Sequence, residues 1–369
     1  MKENSVDLTL LAVTIVLVGI GVVMVYSSSS VISEVKYQDS SFFLKKHLFI
    51  VLLGTSVMIL ASLTDYSKLS GTAAISLLLL GFLLLVLVLM PKFTGQPQKV
   101  CRWIHIGRFN FQPSEFMKVA LIIYMADSLA RRQDRIKSFV WGFLPHLLIL
   151  LMAVGLIILE PALGTAVAIM TVVTAMFFLA GIKLLHLGGL VLAAVPVIYL
   201  SISQVCYRLA RLKAFLHPAE NLQGINYQTY QSLVALGSGG LRGLGLGHSR
   251  QKFLFLPAPH TDFIYSIIGE EWGFIGTVAI LCLFLVFIWR GLKIAHSAPD
   301  LHGFLLASGL TAMIATYAAV NIGVATGVCP TTGLPLPFIS YGGSSLLASL
   351  ASTGILLSIS RKGKQVWQG

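Results

Sequence analysis

The most informative stretch of this sequence is LPAPHTDFIYSIIGEEWGFIGTVAILCLFLVFIW, residues 256–289. After Asp262 it is long and apolar enough to cross a bilayer as one helix, which takes about 20 residues. Yet it contains Asp262, Glu270 and Glu271, three of the 14 acidic residues in the chain. Because ionised carboxylates are costly in lipid, these side chains are candidates for chemistry or for specific buried contacts.

The composition of the whole chain indicates an integral membrane protein. Its 369 residues are 56% hydrophobic and only 11% charged, with a mean hydropathy of +0.86, whereas about a quarter of a soluble domain is charged. The first apolar run has no small-residue cleavage site and many runs follow it, so we expect a retained helix. The four cysteines form no metal-binding pattern, and a disulfide among Cys101, Cys206 and Cys329 stays open.

Apolar runs of transmembrane length predict about ten spans. Glu160-Pro161 divides one long run, because proline ends the preceding helix. Every span is expected to be helical, since backbone polar groups must be paired in lipid. The sequence thus predicts an all-α polytopic membrane protein with no soluble domain. The predicted spans are residues 8–26, 47–63, 72–90, 111–130, 139–159, 163–180, 184–201, 263–289, 305–325 and 340–360.

The basic loop RRQDRIK, residues 131–137, predicts the orientation, because such loops favour the cytoplasm. Ten spans then place both termini in the cytoplasm, in agreement with the basic segment RKGK at residues 361–364. A long external loop, residues 202–261, joins spans seven and eight. The other predicted external segments are residues 27–46, 91–110 and 326–339.

The net charge of +12 comes from basic residues in the loops. Anionic membrane lipid or an anionic lipid-linked substrate is therefore the expected partner, not nucleic acid. The external loops are unusually basic, either because long loops translocate regardless of charge or because they bind a polyanion such as a pyrophosphate. The external excess is concentrated in two groups, Lys92, Lys99, Arg102 and Arg108, and Arg208, Arg211, Lys213, Arg242, Arg250 and Lys252.

The motif RWIHIGRFNFQPSEFMKVA, residues 102–120, contains a predicted helix start at Pro113. Glu115 lies in the first helical turn, and it is spaced to pair with Lys118. This pair is either a structural ion pair or a functional one, as charges inside a span often are. Trp103, taken alone, is typical of an interfacial anchor.

The segment GINYQTYQSLVALGSGGLRGLGLGHSRQKF, residues 224–253, is rich in glycine and contains Arg242 and Lys252. It matches neither a Walker loop nor a dinucleotide-binding loop. Its backbone N–H groups favour an anion site, and a flexible re-entrant loop is the alternative.

The acids of the opening stretch are assigned two different roles. Asp262 starts the eighth span, as a helix N-cap or as a general base whose pKa is raised by partial desolvation. Glu270 and Glu271 lie about 12 Å deeper along the helix, so they cannot share a reacting atom with it. We expect them to pair with polar groups of neighbouring helices.

The last motif, TGVCPTTGLPLPFISYGGSS, covers residues 326–345. Its prolines and glycines exclude one continuous helix. Ser340, Tyr341 and the helix start at Gly342 and Gly343 form either an anion site or a rigid turn.

Four blocks of this chain, in this order, resemble the SEDS family of shape, elongation, division and sporulation proteins. They are RWIHIGRFNFQPSEFMK, NYQTYQSLVALGSGGLRGLGLG, HTDFIYSIIGEEWGFIG and GLPLPFISYGGSS. The resemblance covers essentially the whole chain as one SEDS-type transmembrane domain, residues 1–369. The segments IGEEWGFIG and TTGLPLPFISYGGSS are more similar to the FtsW-like division and sporulation branch than to RodA.

The resemblance implies a peptidoglycan glycosyltransferase that polymerises lipid II outside the bacterial cytoplasmic membrane. Asp262 matches the essential aspartate of the family, which implies a general base in an inverting reaction with undecaprenyl pyrophosphate as the leaving group. Mg²⁺ or Mn²⁺ is implied as a cofactor, with unknown ligands. The substrate-binding candidates are Arg102, Trp103, Gln112, Glu115, Lys118, Arg242, Lys252, Ser340 and Tyr341, and the structural candidates are Glu270, Glu271, Gly342 and Gly343.

The family also implies a class B penicillin-binding protein as partner, other division proteins and a location at the septum. A lipid II flippase, a RodA-type elongation polymerase and a non-catalytic division scaffold are the alternatives. Two departures from the family pattern affect the long loop: Ala258 replaces an acid, and His217-Pro218-Ala219 replaces Asp-Pro-Trp.

Overall fold

The structure, a computed structural model, describes residues 6–90, 102–106, 109–217, 224, 226–253 and 255–362. Within these residues the chain is a helical bundle with one short β-hairpin. The helices are α1 (Leu8–Tyr37), α2 (Phe42–Leu63), α3 (Thr72–Leu89), α4 (Pro113–Arg131), α5 (Leu144–Leu159), α6 (Leu163–Leu179), α7 (Leu184–Ser203), α8 (Cys206–Leu216), α9 (Tyr227–Ser238), α10 (Ile264–His296), α11 (Leu301–Ala325) and α12 (Gly343–Lys362). The strands are β1 (Ile104–Ile106) and β2 (Phe109–Phe111).

A helix lies at each of the ten predicted spans, which confirms the all-α polytopic class. In the part of the chain that the structure describes, eight helices are long and apolar enough to cross a membrane. The other two helices at predicted spans are α6, which has 17 residues, and α4, which carries charged side chains. The protein is therefore an integral membrane protein. Whether it forms a single domain stays a prediction.

The first two helices exceed their predicted bounds, and two predicted external segments contain secondary structure. Residues 27–46, predicted to lie between the first two spans, continue α1 to Tyr37 and begin α2 at Phe42. The serines after residue 26 do not end α1, because Ser28 and Ser29 donate to carbonyls one turn back. The long loop 202–261 contains helices α8 and α9. The segment 91–110 ends in the antiparallel hairpin, which pairs Ile104 with Phe111.

Polar contacts lie at both ends of the bundle. At one end Asp7 pairs with Arg290, and the Tyr66 hydroxyl donates to Asp300 at 3.0 Å. At the other end Ser340 Oγ donates to the carbonyl of Thr261 at 2.6 Å. The assignment of the first end to the cytoplasm stays a prediction.

Helices α11 and α12 are largely enclosed in the bundle. Their most apolar 18-residue stretches are 67% and 78% buried. Helix α7 lies at the periphery, with 12% buried. Because Asp262 precedes α10 and Ser340 precedes α12, the packing of these helices determines where the two residues lie.

Candidate active site

A cavity of about 750 Å³ opens at the Asp262 end of the bundle. Its wall combines α2, the segment before β1, the end of β2, the residues before α10, the loop around Pro335 and the start of α12. Seven of the residues singled out from the sequence line this cavity: Arg102, Trp103, Gln112, Asp262, Tyr341, Gly342 and Gly343.

Asp262 lies two residues before the start of α10 and is half-buried. Among the described residues, its carboxylate takes part in no hydrogen bond or ion pair. Gly333 stands beside it, since a Cβ atom on that glycine would lie 3.7 Å from Asp262 Oδ2. Burial raises the pKa of the Asp262 carboxyl, and the charges of Arg211 and Arg102 partly offset that rise. The side chain is thus an unengaged carboxylate at a cavity wall, as a general base requires.

The main chain around Asp262 is held much more firmly than its side chain. The carbonyl of His260 accepts from the Tyr341 N–H at 2.9 Å, and the carbonyl of Asp262 accepts from Asn321 Nδ2 at 2.9 Å. Between them, Thr261 accepts from Ser340 Oγ, which itself accepts from the Leu336 N–H. Because its hydroxyl is used in this way, Ser340 is buried behind the wall and does not line the cavity.

Arg102 and Gln112 join the opposite wall to the rest of the bundle. The Arg102 guanidinium donates to the carbonyls of Glu160, at 3.1 Å, and Pro161. The Gln112 N–H donates to Ser344 Oγ at 2.9 Å, which attaches the end of β2 to the first turn of α12. Arg102 thereby brings a positive charge to the same cavity as Asp262.

Glu115 and Lys118 do not line this cavity. Lys118 Nζ lies 2.5 Å from Glu115 Oε2, and both side chains are only 2% exposed. The ammonium group also lies 3.8 Å from the centre of the Tyr317 ring. The pair faces the interior because it projects from α4 towards α11, so a contact with substrate has no support from its position.

Glu270 and Glu271 are enclosed by the segment that follows α9. Glu270 accepts hydrogen bonds from Ser249 Oγ and, at 2.9 Å, from the Arg250 N–H. Glu271 accepts from Ser27 Oγ on α1 at 2.6 Å, and Lys252 Nζ lies 3.7 Å away. We call these two glutamates the Glu270–Glu271 cluster. Their contacts are those of a structural element, although the role itself stays a prediction.

Helix α10 is broken beside this cluster, where Gly273 has φ 70° and ψ −165°. The neighbouring segment supplies the missing backbone partners. The Gly240 carbonyl accepts from the Phe274 N–H at 2.8 Å, and the Leu244 N–H donates to the Glu270 carbonyl at 2.9 Å. Gly243 fits only without a side chain, because its φ is 79° and a Cβ atom would lie 2.1 Å from the Glu271 carbonyl oxygen.

Arg242 and Lys252 therefore lie outside the Asp262 cavity. Arg242 is exposed on the segment that crosses the helix break. Lys252 is buried against Glu271 and donates to the Gly247 carbonyl. The segment packs against the Glu270–Glu271 cluster, where Lys252 lies beside Glu271, and its predicted re-entrant course stays a prediction. Its predicted anion site stays a prediction.

The sequence interpretation missed one wall of the cavity and one of its supports. The missed wall is the start of α2, with Lys46 followed by Phe49, Ile50 and Leu53. The position of Lys46 just before an apolar span was the available signal. Asn321, which supports Asp262, gave no local signal, because a single amide within a span has no characteristic spacing.

No metal-binding cluster of three His, Cys, Asp or Glu residues exists in the described part of the chain. Asp262 is the only acid among the described residues that line the cavity. Since Mg²⁺ is often held by one or two carboxylates plus substrate phosphates, Asp262 fits only a cation that arrives with its substrate. The Mg²⁺ or Mn²⁺ cofactor stays a prediction.

Some sequence expectations fall outside the described residues. They concern Lys92, Lys99, Cys101, Arg108 and the departure at Pro218-Ala219. The other three cysteines, Cys206, Cys282 and Cys329, are free thiols.

Comparison with known proteins identifies the family. A profile of the FtsW–RodA–SpoVE family, described as cell cycle proteins, matches residues 8–365. The chain belongs to this family. It is 44% identical over 354 residues to the probable peptidoglycan glycosyltransferase FtsW of Trichlorobacter lovleyi, which covers 96% of this chain and 93% of that protein. It is also 44% identical to stage V sporulation protein E of Bacillus subtilis over 361 residues, 98% of each.

Two solved structures have the same fold. One is a chain of a peptidoglycan synthase complex that coordinates polymerization and crosslinking, with a TM-score of 0.80 at 29% identity, covering 98% of this chain and 99% of that one. The other is the rod shape determining protein RodA of Thermus thermophilus, with a TM-score of 0.70 at 30% identity over 98% of each chain. The predicted family and its FtsW-like branch are confirmed.

Proposed function

We propose that this protein is a peptidoglycan glycosyltransferase that polymerises lipid II on the outer face of the bacterial cytoplasmic membrane, with Asp262 as general base. The observation that carries the proposal is the unengaged Asp262 carboxylate in a cavity that also contains Arg102. Relatives named as peptidoglycan glycosyltransferases support the same activity.

The reaction follows from the groups around the cavity. A sugar hydroxyl of one substrate attacks the anomeric carbon of the other, and its proton passes to Asp262 Oδ. The bond between the anomeric carbon and the phosphate oxygen breaks, and undecaprenyl pyrophosphate leaves with the electron pair. Arg102 and Lys46 place positive charge where negative charge develops on that leaving group. A single displacement inverts the anomeric carbon, as in inverting glycosidases.

The shape of the cavity fits a substrate with a polar head and a lipid tail. Polar side chains gather around Asp262, whereas Ile50, Leu53 and Leu347 form an apolar flank on α2 and α12. Leu53 is 45% exposed on the outer surface of the bundle. This flank suits a prenyl chain that remains in the bilayer while its diphosphate reaches Arg102.

A class B penicillin-binding protein is the proposed partner, and the septum the proposed location, together with other division proteins. The similar chain from a complex that coordinates polymerization and crosslinking supports the partner. Equal identity to an FtsW protein and to a stage V sporulation protein supports a role in division or sporulation rather than elongation.

A flippase requires a polar path through the bundle. The buried charges that would form such a path are engaged with one another, as Lys118 is with Glu115 and Lys252 with Glu271. The polymerase is therefore the better supported function.

The test uses the purified protein with its cognate transpeptidase partner and lipid II in liposomes. Asp262→Ala is expected to abolish glycan strands and to leave lipid II translocation at the wild-type rate. Asp39→Ala, which removes another acid from the predicted external side, is the control and should polymerise normally. Lost translocation with intact polymerisation would favour a flippase, and a silent Asp262→Ala would favour a scaffold.

A further inference from the structure

The Asp262 carboxylate can hold one position only through its main chain, since among the described residues no side chain bonds to it. Three successive carbonyls, those of residues 260, 261 and 262, each accept one hydrogen bond. Two of the donors belong to adjacent residues, Ser340 and Tyr341. The third donor is the side-chain amide of Asn321, which projects from α11.

Asn321 differs from the other two donors because it joins three separate segments. Its Nδ2 group donates to the carbonyl of Asp262 at 2.9 Å and to the carbonyl of Leu334 at 2.8 Å. Both amide hydrogens are thereby used on main-chain oxygens. Leu334 follows Gly333, which stands against the Asp262 carboxylate. One amide group thus fixes both the residue that bears the carboxylate and the wall that faces it.

The surroundings of Asn321 exclude a direct contact with substrate. Its side chain is 1% exposed, and it is absent from the lining of the Asp262 cavity. It lies on α11, and 67% of the most apolar stretch of that helix is buried. A buried amide bonded to carbonyls on a rigid helix gives a fixed reference for the Asp262 backbone, because rigid supports define catalytic geometry better than loops do.

We propose that Asn321 is a positioning residue, which sets the distance between the Asp262 carboxylate and the attacking sugar hydroxyl. The inference rests on the proposed glycosyltransferase function. Displacement of a reacting group by about 1 Å is enough to lower a rate by roughly 100-fold. Since Asn321 touches no substrate, its loss lowers kcat and leaves KM near the wild-type value.

The test measures kcat and KM for lipid II polymerisation by the complex with its transpeptidase partner. Asn321→Leu removes both donors and keeps the branched shape of the side chain, and it is expected to lower kcat by roughly 100-fold with KM unchanged. Asn321→Thr keeps one donor and is expected to fall between Asn321→Leu and the wild type. Thr311→Val is the matched control, because Thr311 is also a buried polar residue of α11 and its hydroxyl has no hydrogen-bond partner in the described residues.

The outcomes separate this inference from the function on which it rests. If Asp262→Asn is inactive but Asn321→Leu keeps wild-type kcat, the positioning role is overturned and the polymerase stands. A rise in KM at unchanged kcat also overturns it, because it would place Asn321 in substrate binding. If Asn321→Leu does not fold, the kcat and KM of Asn321→Thr provide the test by the same criteria. An active Asp262→Asn overturns the proposed function itself.

Discussion

Two acidic regions occur on one segment of the chain, and they differ in what surrounds the carboxylates. Asp262 precedes α10 with a well-bonded main chain and an unengaged side chain. Glu270 and Glu271, about 12 Å further along, have side chains that accept bonds from α1 and from the segment after α9. Acids in one apolar span therefore differ by their partners: a held backbone with an unengaged carboxylate suits chemistry, and a carboxylate bonded to neighbouring segments suits structure.

The largest predicted effect is that substitutions in the two regions change different properties: catalytic activity at Asp262 and stability at Glu270. We expect Asp262→Asn to lower polymerisation by about 10²–10⁴-fold, because a general base is lost. Its thermal stability should stay the same or rise, because burial raises the pKa of Asp262 and ionisation near neutral pH opposes folding. Glu270→Ala should instead destabilise the protein by about 1–3 kcal/mol for each donor left unpaired, such as Ser249 Oγ.

The melting temperature in detergent and the polymerisation rate, measured for both variants, test whether activity and stability are affected separately. A Glu270→Ala protein with wild-type stability and no activity would assign the catalytic role to the wrong acid. A melting temperature of Asp262→Asn well below that of the wild type would also contradict the expected difference between the two regions.

A smaller effect is expected where the segment after α9 crosses the broken helix. Gly243→Ala should lower stability by more than the about 1–2 kcal/mol of left-handed strain, because its Cβ atom would overlap the Glu271 carbonyl. Gly247→Ala is the matched control: its φ is 80°, yet nothing lies within 4 Å of the added atom. Melting temperatures of the two variants check this, and equal losses would show that the helix break does not depend on close packing.

The smallest predicted effect is a shift in pH dependence at the Asp262 cavity. Arg102→Gln removes a positive charge that lowers the pKa of Asp262. The pKa therefore rises further, the base is ionised only at higher pH, and the acid limb of kcat/KM moves upward. The measurement is the pH profile of polymerisation, with Arg135→Gln, an exposed arginine on the loop predicted to be cytoplasmic, as control. An acid limb that stays in place or moves to lower pH would show that Arg102 does not lower the pKa of Asp262.

Much of the fold was predictable because the signals are local. Apolar runs of fixed length predicted the ten helices at the spans, though not α8 and α9, and Glu160-Pro161 correctly separated α5 from α6. The extension of α1 was missed, since the serines that follow Tyr26 resemble a loop until their hydroxyls are seen to bond within the helix. The break at Gly273 was missed for a related reason: it is stable only because a distant segment supplies its backbone partners.

The candidate site was predictable only in part. Motifs identified Asp262, Arg102, Trp103, Gln112 and Tyr341, which do line one cavity. The same motifs predicted Lys118, Ser340 and Lys252 as substrate-binding residues, whereas all three side chains are buried and contact other protein groups. A motif gives residue types and spacing, but not the face of the bundle towards which a side chain points.

Hydropathy and chain breaks act over a few neighbouring residues. The amino-acid sequence therefore suffices to show that this is a membrane protein, where its spans lie and that an acid begins the eighth span. The tertiary structure alone decided which charges face the cavity and which are enclosed. Those outcomes depend on how α10, α11 and α12 are rotated against one another, and that rotation is fixed by contacts such as Asn321 with Asp262 between residues far apart in the chain.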